Sequence, residues 1–369
     1  MHANRLLIVG SFPKHNNNII GGIRTSCDLL IQYGFKKNFI VRTLDSTQVS
    51  NPPPHLTIRG FFAIWRLIKF AFEIIFHRPN TVLIFLSDGP SAIEKSIMAA
   101  IAKILFINVI LFPRAGNLIN QTNRSKLFKY FIKSCFRKSD ILLSQGETWT
   151  EYFETDLLVS KSRIVSLFNW TATNEILAIG AKRDLDNFKN RLVFTGWVEE
   201  AKGINELLLA INELIKDGMH LELDIVGNGA LMSHVKNFIN ANNLNKVINL
   251  HGWLHKEQLT DLLSVNDIFI LPSWHEGFPN SIIEAMSAKL AILTTNVGTI
   301  CDHLINYESA IISQPKDYKQ LKRNIELLLT DNQLRKDISN NAYEYALANF
   351  STKQNIVQLE DILLSLNNS

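Results

Sequence analysis

The chain has 369 residues, 46% hydrophobic and 20% charged, a composition of folded domains that excludes disordered, collagen-like and disulfide-stapled chains. At about 150 residues per domain the length predicts two domains. The net charge of +4 conceals a split: residues 1–180 hold 21 Lys and Arg against 11 Asp and Glu, and 181–369 hold 17 against 23, so the first half points to an anionic surface or substrate.

Short apolar, β-branched runs recur between helical patterns. In the first half they occupy 5–9, 38–43, 81–86, 107–112, 140–144 and 163–167, and in the second 191–195, 221–226, 247–250, 267–271, 290–294 and 309–313. Such runs predict buried parallel strands, and two series of them predict an α/β protein with two doubly wound sheets in tandem. The first run is far shorter than the apolar core of a signal peptide, so secretion is not expected. Segment 61–76 is apolar around most of a helical wheel, with Arg66, Lys69 and Glu73 as a narrow polar stripe. It is too short and too charged for a membrane span. Segment 124–138 adds six basic residues and no acid among Phe128, Tyr130, Phe131, Ile132 and Phe136. The first reads as a core helix and the second as a solvated one, or either as a contact with an anionic membrane surface.

Between the two series, 169–190 turns polar and charged and reads as a linker. The predicted parts are one α/β domain over 1–172, a second over 190–345, and a helical segment over 346–369 packing across both. Cys27, Cys135 and Cys301 lie far apart, without a CxxC or a histidine cluster at zinc spacing, so neither a disulfide framework nor a metal site is expected. A reducing cytosol fits best. No Cys-His finger, RNP-type signature or basic zipper is readable, so no nucleic-acid partner is expected.

Two segments of the second half carry the candidate chemistry. After the strand at 191–195 comes a loop bearing Lys202-Gly203, then Ile204, Leu207, Leu208, Ile211, Leu214 and Ile215 at the spacing of a half-buried helix, stopped at Asp217-Gly218. Ligands collect at this C-terminal edge of open α/β sheets. The second segment, 271–286, follows a strand, passes Glu276, Gly277, Phe278 and Pro279, and enters a helix that Asn280 or Ser281 can cap. A helix start favours a diphosphate. Glu284, one turn inside, suits the diol of an attached ribose, and Glu276 can accept from sugar hydroxyls. The plain alternative makes both acids a capping group and a solvated helix residue. Gly227-Asn228-Gly229 is a poor dinucleotide fingerprint, because Met232 stands where its third glycine belongs.

Glu276 and Glu284, with seven residues between them and Gly-Phe-Pro after the first, resemble the paired-glutamate signature of retaining GT-B glycosyltransferases, especially glycosyltransferase family four. Gly21-Gly22-Ile23-Arg24 is similar to the family's glycine-rich loop, 196–203 to its basic loop, Val226-Gly227-Asn228-Gly229 to its VGxG turn, and Leu250-His251-Gly252-Trp253 to the segment beside the base. The resemblance implies two Rossmann-like domains facing across a cleft, the first, over 1–172, binding the acceptor and the second, over 190–345, the nucleotide-sugar donor. It implies that Glu284 holds the donor ribose, Glu276 the donor sugar, the N–H groups of Gly277, Phe278, Pro279-flanking backbone and Asn280 the sugar and diphosphate, and Lys202 the leaving diphosphate. Gly21 and Gly22 would close over the phosphates. Preorganised cations and N–H groups meet the charge that grows on a departing diphosphate.

Two positions depart from the pattern. Trp197 stands where relatives carry a second basic residue, and Arg114, in Phe112-Pro113-Arg114-Ala115-Gly116, stands where the family often has a histidine. Arg114 would supply the missing charge at the catalytic centre or bind an acidic acceptor, or is a surface arginine. The implied function is metal-independent retaining transfer from a UDP- or GDP-linked sugar, with no other cofactor, to a saccharide or lipid-linked saccharide. Bacterial surface polysaccharide, lipopolysaccharide or glycolipid synthesis, in the cytoplasm or on the inner face of the membrane, is the expected setting. A nucleotide-sugar epimerase and a catalytically silent sugar-nucleotide binder are the alternatives.

Overall fold

The computed structural model describes residues 4–13, 21–35, 39–48, 50, 54–114 and 116–367. Ala115 and residues 14–20, named in or beside the motifs above, lie outside that set. In chain order the first elements are β1 (Asn4–Gly10), α1 (Gly22–Tyr33), β2 (Phe39–Asp45), α2 (Leu56–His77), β3 (Thr81–Leu86) and α3 (Pro90–Ile104). They continue with β4 (Asn108–Pro113), α4 (Leu118–Arg124), α5 (Lys126–Phe136), β5 (Ile141–Ser144), α6 (Glu147–Glu151) and β6 (Ile164–Ser166). Next come α7 (Asn174–Lys182), β7 (Arg191–Thr195), α8 (Ile204–Lys216), β8 (Glu222–Val226), α9 (Met232–Ala241), β9 (Ile248–Gly252) and α10 (Lys256–Val265). The chain ends with β10 (Ile268–Leu271), α11 (Asn280–Ser287), β11 (Ala291–Thr295), α12 (Ile300–His303), β12 (Ile311–Ser313), α13 (Tyr318–Thr330), α14 (Asn332–Asn349) and α15 (Thr352–Asn367).

Two units result, Met1–Trp170 with Thr352–Ser369, and Thr171–Ser351. Each holds one six-stranded parallel sheet, in the order β2-β1-β3-β4-β5-β6 and β12-β11-β10-β7-β8-β9. The stretch read as a linker contains α7, which belongs to the second unit. Its polar residues misled because α7 is anchored largely through backbone partners. Tyr343 donates to the Leu177 carbonyl at 3.1 Å, and the Arg183 guanidinium donates to the carbonyls of Ala288, Asn266 and Leu263 at 2.5 to 2.7 Å.

In the first unit the inner strands β1, β3, β4 and β5 read as apolar runs because both sheet faces are covered there. Leu7 and Val9 pack with Phe70, Ile74, Met98, Ile132 and Phe136 from α2, α3 and α5. Leu6 and Ile8 point the other way, to Leu30 of α1 and to Ile356, Leu359 and Leu363 of α15. The last two helices therefore part company: α14 belongs to the second unit and α15 to the first. Hydrogen bonds from Thr352 to the Trp170 carbonyl (2.7 Å) and from Asn355 to the Asn169 carbonyl (2.9 Å) fix the start of α15. The Glu360 carboxylate accepts from the Phe35 amide. In the second unit β10 is wholly buried, and α8 buries the predicted stripe of Ile204, Leu207, Leu208, Ile211 and Leu214.

Candidate active site

In the second sheet β8 and β9 run outward from β7 on one side, and β11 and β12 from β10 on the other. The order reverses between β7 and β10, and a crevice opens at the carboxyl ends of strands at such a switch point. The loops leaving these two strands carry Lys202 and Glu276.

Local geometry explains why the loops meet. Lys202 ends a single 3₁₀ turn, Glu200–Lys202, closed by Gly203 at φ 69°. A Cβ on Gly203 would strike the Pro272 carbonyl, so glycine alone permits this approach. The Trp274 amide donates to the Ala201 carbonyl at 2.8 Å and joins the loops. Lys202 Nζ then donates to Glu276 Oε1 at 2.5 Å, and Ser273 Oγ donates to the same oxygen at 2.7 Å. Glu276 is buried, at 8% exposure. Its negative charge is met by one cation and one hydroxyl, as a buried carboxylate requires.

A third loop, after β11, supports this pair from below. Gly298 has φ 60°, and a Cβ there would collide with the carbonyls of Glu276 and Gly277. The Thr299 amide donates to the Gly277 carbonyl at 3.2 Å, and Thr295 Oγ1 to the Ser273 carbonyl at 2.6 Å. Gly298 and Ser273 were missed as site residues by the motif reading. The Asn296-Val297-Gly298 turn signal marks the first, but its packing partner lies over twenty positions away in the sequence.

Helix α11 starts at Asn280 with Pro279 in the N-cap position, which corrects the expected Asn280 or Ser281 cap. Pro279 has no side-chain acceptor for the first-turn amides. The Phe278 ring is not a site group: it is buried, stacked on Phe350 at 5.1 Å and against His303 at 4.4 Å, so Phe278 offers only its backbone. Gly277 leads directly into this anchor. Glu284, the fifth residue of α11, is half-buried. Desolvation raises its carboxyl to about 7, against the opposing charge of Lys256.

At the end of β9, His251 Nε2 lies 2.7 Å from Oδ1 of buried Asp224, which also accepts from Asn249 and Asn266. Trp197 packs edge-on against Trp253, ring centroids 4.9 Å apart. An aromatic contact therefore occupies the position where a second cation was looked for. Gly21, Gly22 and Arg114 belong to the first unit. Gly21 precedes α1 in extended backbone, and a Cβ there would meet nothing within 4 Å. Arg114 follows β4, half-buried, its guanidinium 5.2 Å from the Phe112 ring and 6.0 Å from that of Trp170. Desolvation lowers its pKa to about 10, countered by Cys27.

Among the described residues no group of three His, Cys, Asp or Glu side chains could hold a metal ion.

Residues 178–345 match the family described as glycosyl transferases group 1. This segment, less than half of the chain, is similar to that family. The capsular polysaccharide biosynthesis glycosyltransferase CapM of Staphylococcus aureus is 27% identical over 171 residues, 46% of this chain and 43% of CapM. The UDP-Gal:alpha-D-GlcNAc-diphosphoundecaprenol alpha-1,3-galactosyltransferase of Escherichia coli is 29% identical over 182 residues, 48% of this chain and 43% of that one. The matches span about half the length of these curated relatives. Among solved structures, sucrose-phosphate synthase from Thermosynechococcus elongatus covers 99% of both chains with a TM-score of 0.77 and 16% identity. Anabaena Alr3699/HepE in complex with UDP covers 98% of this chain and all of that one, with a TM-score of 0.70 and 12% identity. The architecture is thus GT-B, with one Rossmann-like sheet in each unit.

Proposed function

We propose that this protein is a retaining glycosyltransferase that moves a sugar from a UDP- or GDP-linked donor to a hydroxyl acceptor. The observation that carries this reading is the meeting of Lys202 and Glu276 at the switch point of the second sheet, with an uncapped helix start and Glu284 following in the same segment. In this reading Glu284 accepts from the ribose diol. Glu276 turns to the donor sugar, and the backbone of Gly277, Phe278 and Asn280 lines the sugar and diphosphate beside Pro279. Lys202 leaves Glu276 for the diphosphate, whose growing negative charge it neutralises as the bond breaks. Gly21 and Gly22 close over the phosphates, and Arg114 serves the acceptor or the leaving group. The acceptor hydroxyl attacks from the face the diphosphate leaves, so the anomeric configuration is kept, and the departing phosphate oxygen takes the proton. Lys202 and a helix end suffice for the diphosphate without a metal.

Relatives named for capsular polysaccharide and for diphosphoundecaprenol-linked acceptors support a saccharide or lipid-linked saccharide acceptor in bacterial surface polysaccharide synthesis, and in this reading the reaction runs on the cytoplasmic side. The test is transfer from sugar nucleotides to a diphosphoundecaprenol-linked saccharide in the presence of chelator, with the product anomer read by nuclear magnetic resonance. An α-linked product from an α-linked donor is expected. An inverted anomer, a requirement for added divalent metal, or an altered sugar formed from donor alone would overturn the corresponding part of the reading.

A further inference from the structure

Helix α2 buries only a narrow side. Phe70 and Ile74 reach the core, Arg66 is held bidentately by buried Glu94 at 2.6 and 2.8 Å, and Glu73 accepts from Arg42 at 2.8 Å. The other side carries Phe61, Ile64, Trp65, Ile68, Phe72 and Phe76, each 48% to 67% exposed. Steps of three or four residues keep these on one helical face, about 22 Å long at 1.5 Å per residue. The apolar surface continues past the end of α2, where Ile75 and Arg78 line one groove with Leu105 and the 94% exposed Phe106. Soluble surfaces rarely leave so long an apolar stripe without a partner. No described helix is long and apolar enough to cross a membrane.

Charge identifies the occupant. Residues 54–138 contain thirteen Lys and Arg against three acids; Lys95 is buried, Arg66, Lys103 and Lys129 pair with Glu94, Asp140 and Asp156, and Glu73 is engaged by Arg42. Lys69 lies over the Trp65 ring at 5.4 Å. Arg78 is exposed at the end of α2, and Arg124 and Lys126 are exposed around α5, which shares this face of the sheet. A second copy of the chain docking through the same stripe would bring like charges together. An anionic surface neutralises them.

We propose that the outer face of α2 docks on an anionic lipid bilayer, its aromatic stripe at the boundary of headgroups and acyl chains and its flanking cations on the headgroups. This rests on exposure and charge in the first unit alone and stands or falls independently of the donor chemistry.

The test is sedimentation of the full chain with vesicles of phosphatidylcholine and of phosphatidylcholine mixed equally with phosphatidylglycerol. Binding is expected to the mixed vesicles, weakened by salt. K69Q and R78Q are each expected to weaken it roughly fivefold, since a basic residue near such a surface contributes about 1 kcal/mol. Trp65→Ser combined with Phe72→Ser is expected to weaken it roughly tenfold or more, with an unchanged melting profile because both side chains face solvent. No binding to the mixed vesicles at low salt, or equal binding by the Trp65/Phe72 variant, would overturn the proposal. A dimer in light scattering that this variant dissociates, without vesicle binding, would give the face to a second copy and overturn it too.

Discussion

Desolvation on α11 lifts the Glu284 carboxyl from its ordinary 4.5 to about 7, so proton release in the folded chain falls in the neutral range. A carboxylate accepts both hydroxyls of a diol, whereas the protonated acid loses an acceptor site and its charge. Nucleoside diphosphate affinity is therefore expected to rise as pH increases through about 7. Calorimetry on wild type and Glu284→Gln separates this rise from the phosphate's own titration, since the variant keeps only the latter. Stability runs the opposite way. The folded chain holds this proton more tightly than the unfolded one, so stability falls as pH rises from about 4.5 to about 7. Glu284→Gln is expected to melt a few degrees above wild type at pH 8 and to lose that advantage toward pH 4. Gly203 and Gly298 are a second residue-scale test. Alanine at either meets a backbone carbonyl at positive φ and is expected to cost about 2 kcal/mol or more of stability while weakening nucleotide binding. Denaturant unfolding with the same titration checks both.

At the scale of elements, the strands were legible because burial on both faces leaves unbroken apolar runs, as at 6–9, and α8 was legible from its stripe. The site was legible as a segment and less so as an arrangement. The 276–284 spacing stands in the sequence, but the Gly298 support depends on a contact made only after the sheet forms. The anchoring of the Phe278 ring was hidden because its partners Phe350 and His303 are remote in sequence. Helix α2 carried two readings, core or membrane contact, because a wheel apolar on most sides does not tell which side a neighbour covers; only Phe70 and Ile74 are buried. The partition of the last two helices was equally hidden, since the apolar residues of α15 do not name the sheet they cover. Leu359→Ala in α15 is expected to destabilise the first unit by about 2–5 kcal/mol. Differential scanning calorimetry with nucleoside diphosphate should show this loss while the ligand-induced rise of the second unit's transition persists.

At the scale of the whole molecule, the charge split and the two sheets express a division of labour. The first unit carries the basic surface, the exposed face of α2 and the residues proposed to meet the acceptor. The second carries the family match and the switch-point site of Lys202, Glu276 and Glu284. This site is proposed to hold a nucleoside diphosphate. The most direct measurement is isothermal titration of UDP and GDP into wild type and Glu284→Ala. Each charge-assisted hydrogen bond to the ribose is worth about 1.5–3 kcal/mol. Wild type is expected to bind at least one of the two saturably and one-to-one, and Glu284→Ala to bind it roughly tenfold or more weakly. No binding of either nucleotide, or wild-type affinity in Glu284→Ala, would contradict it.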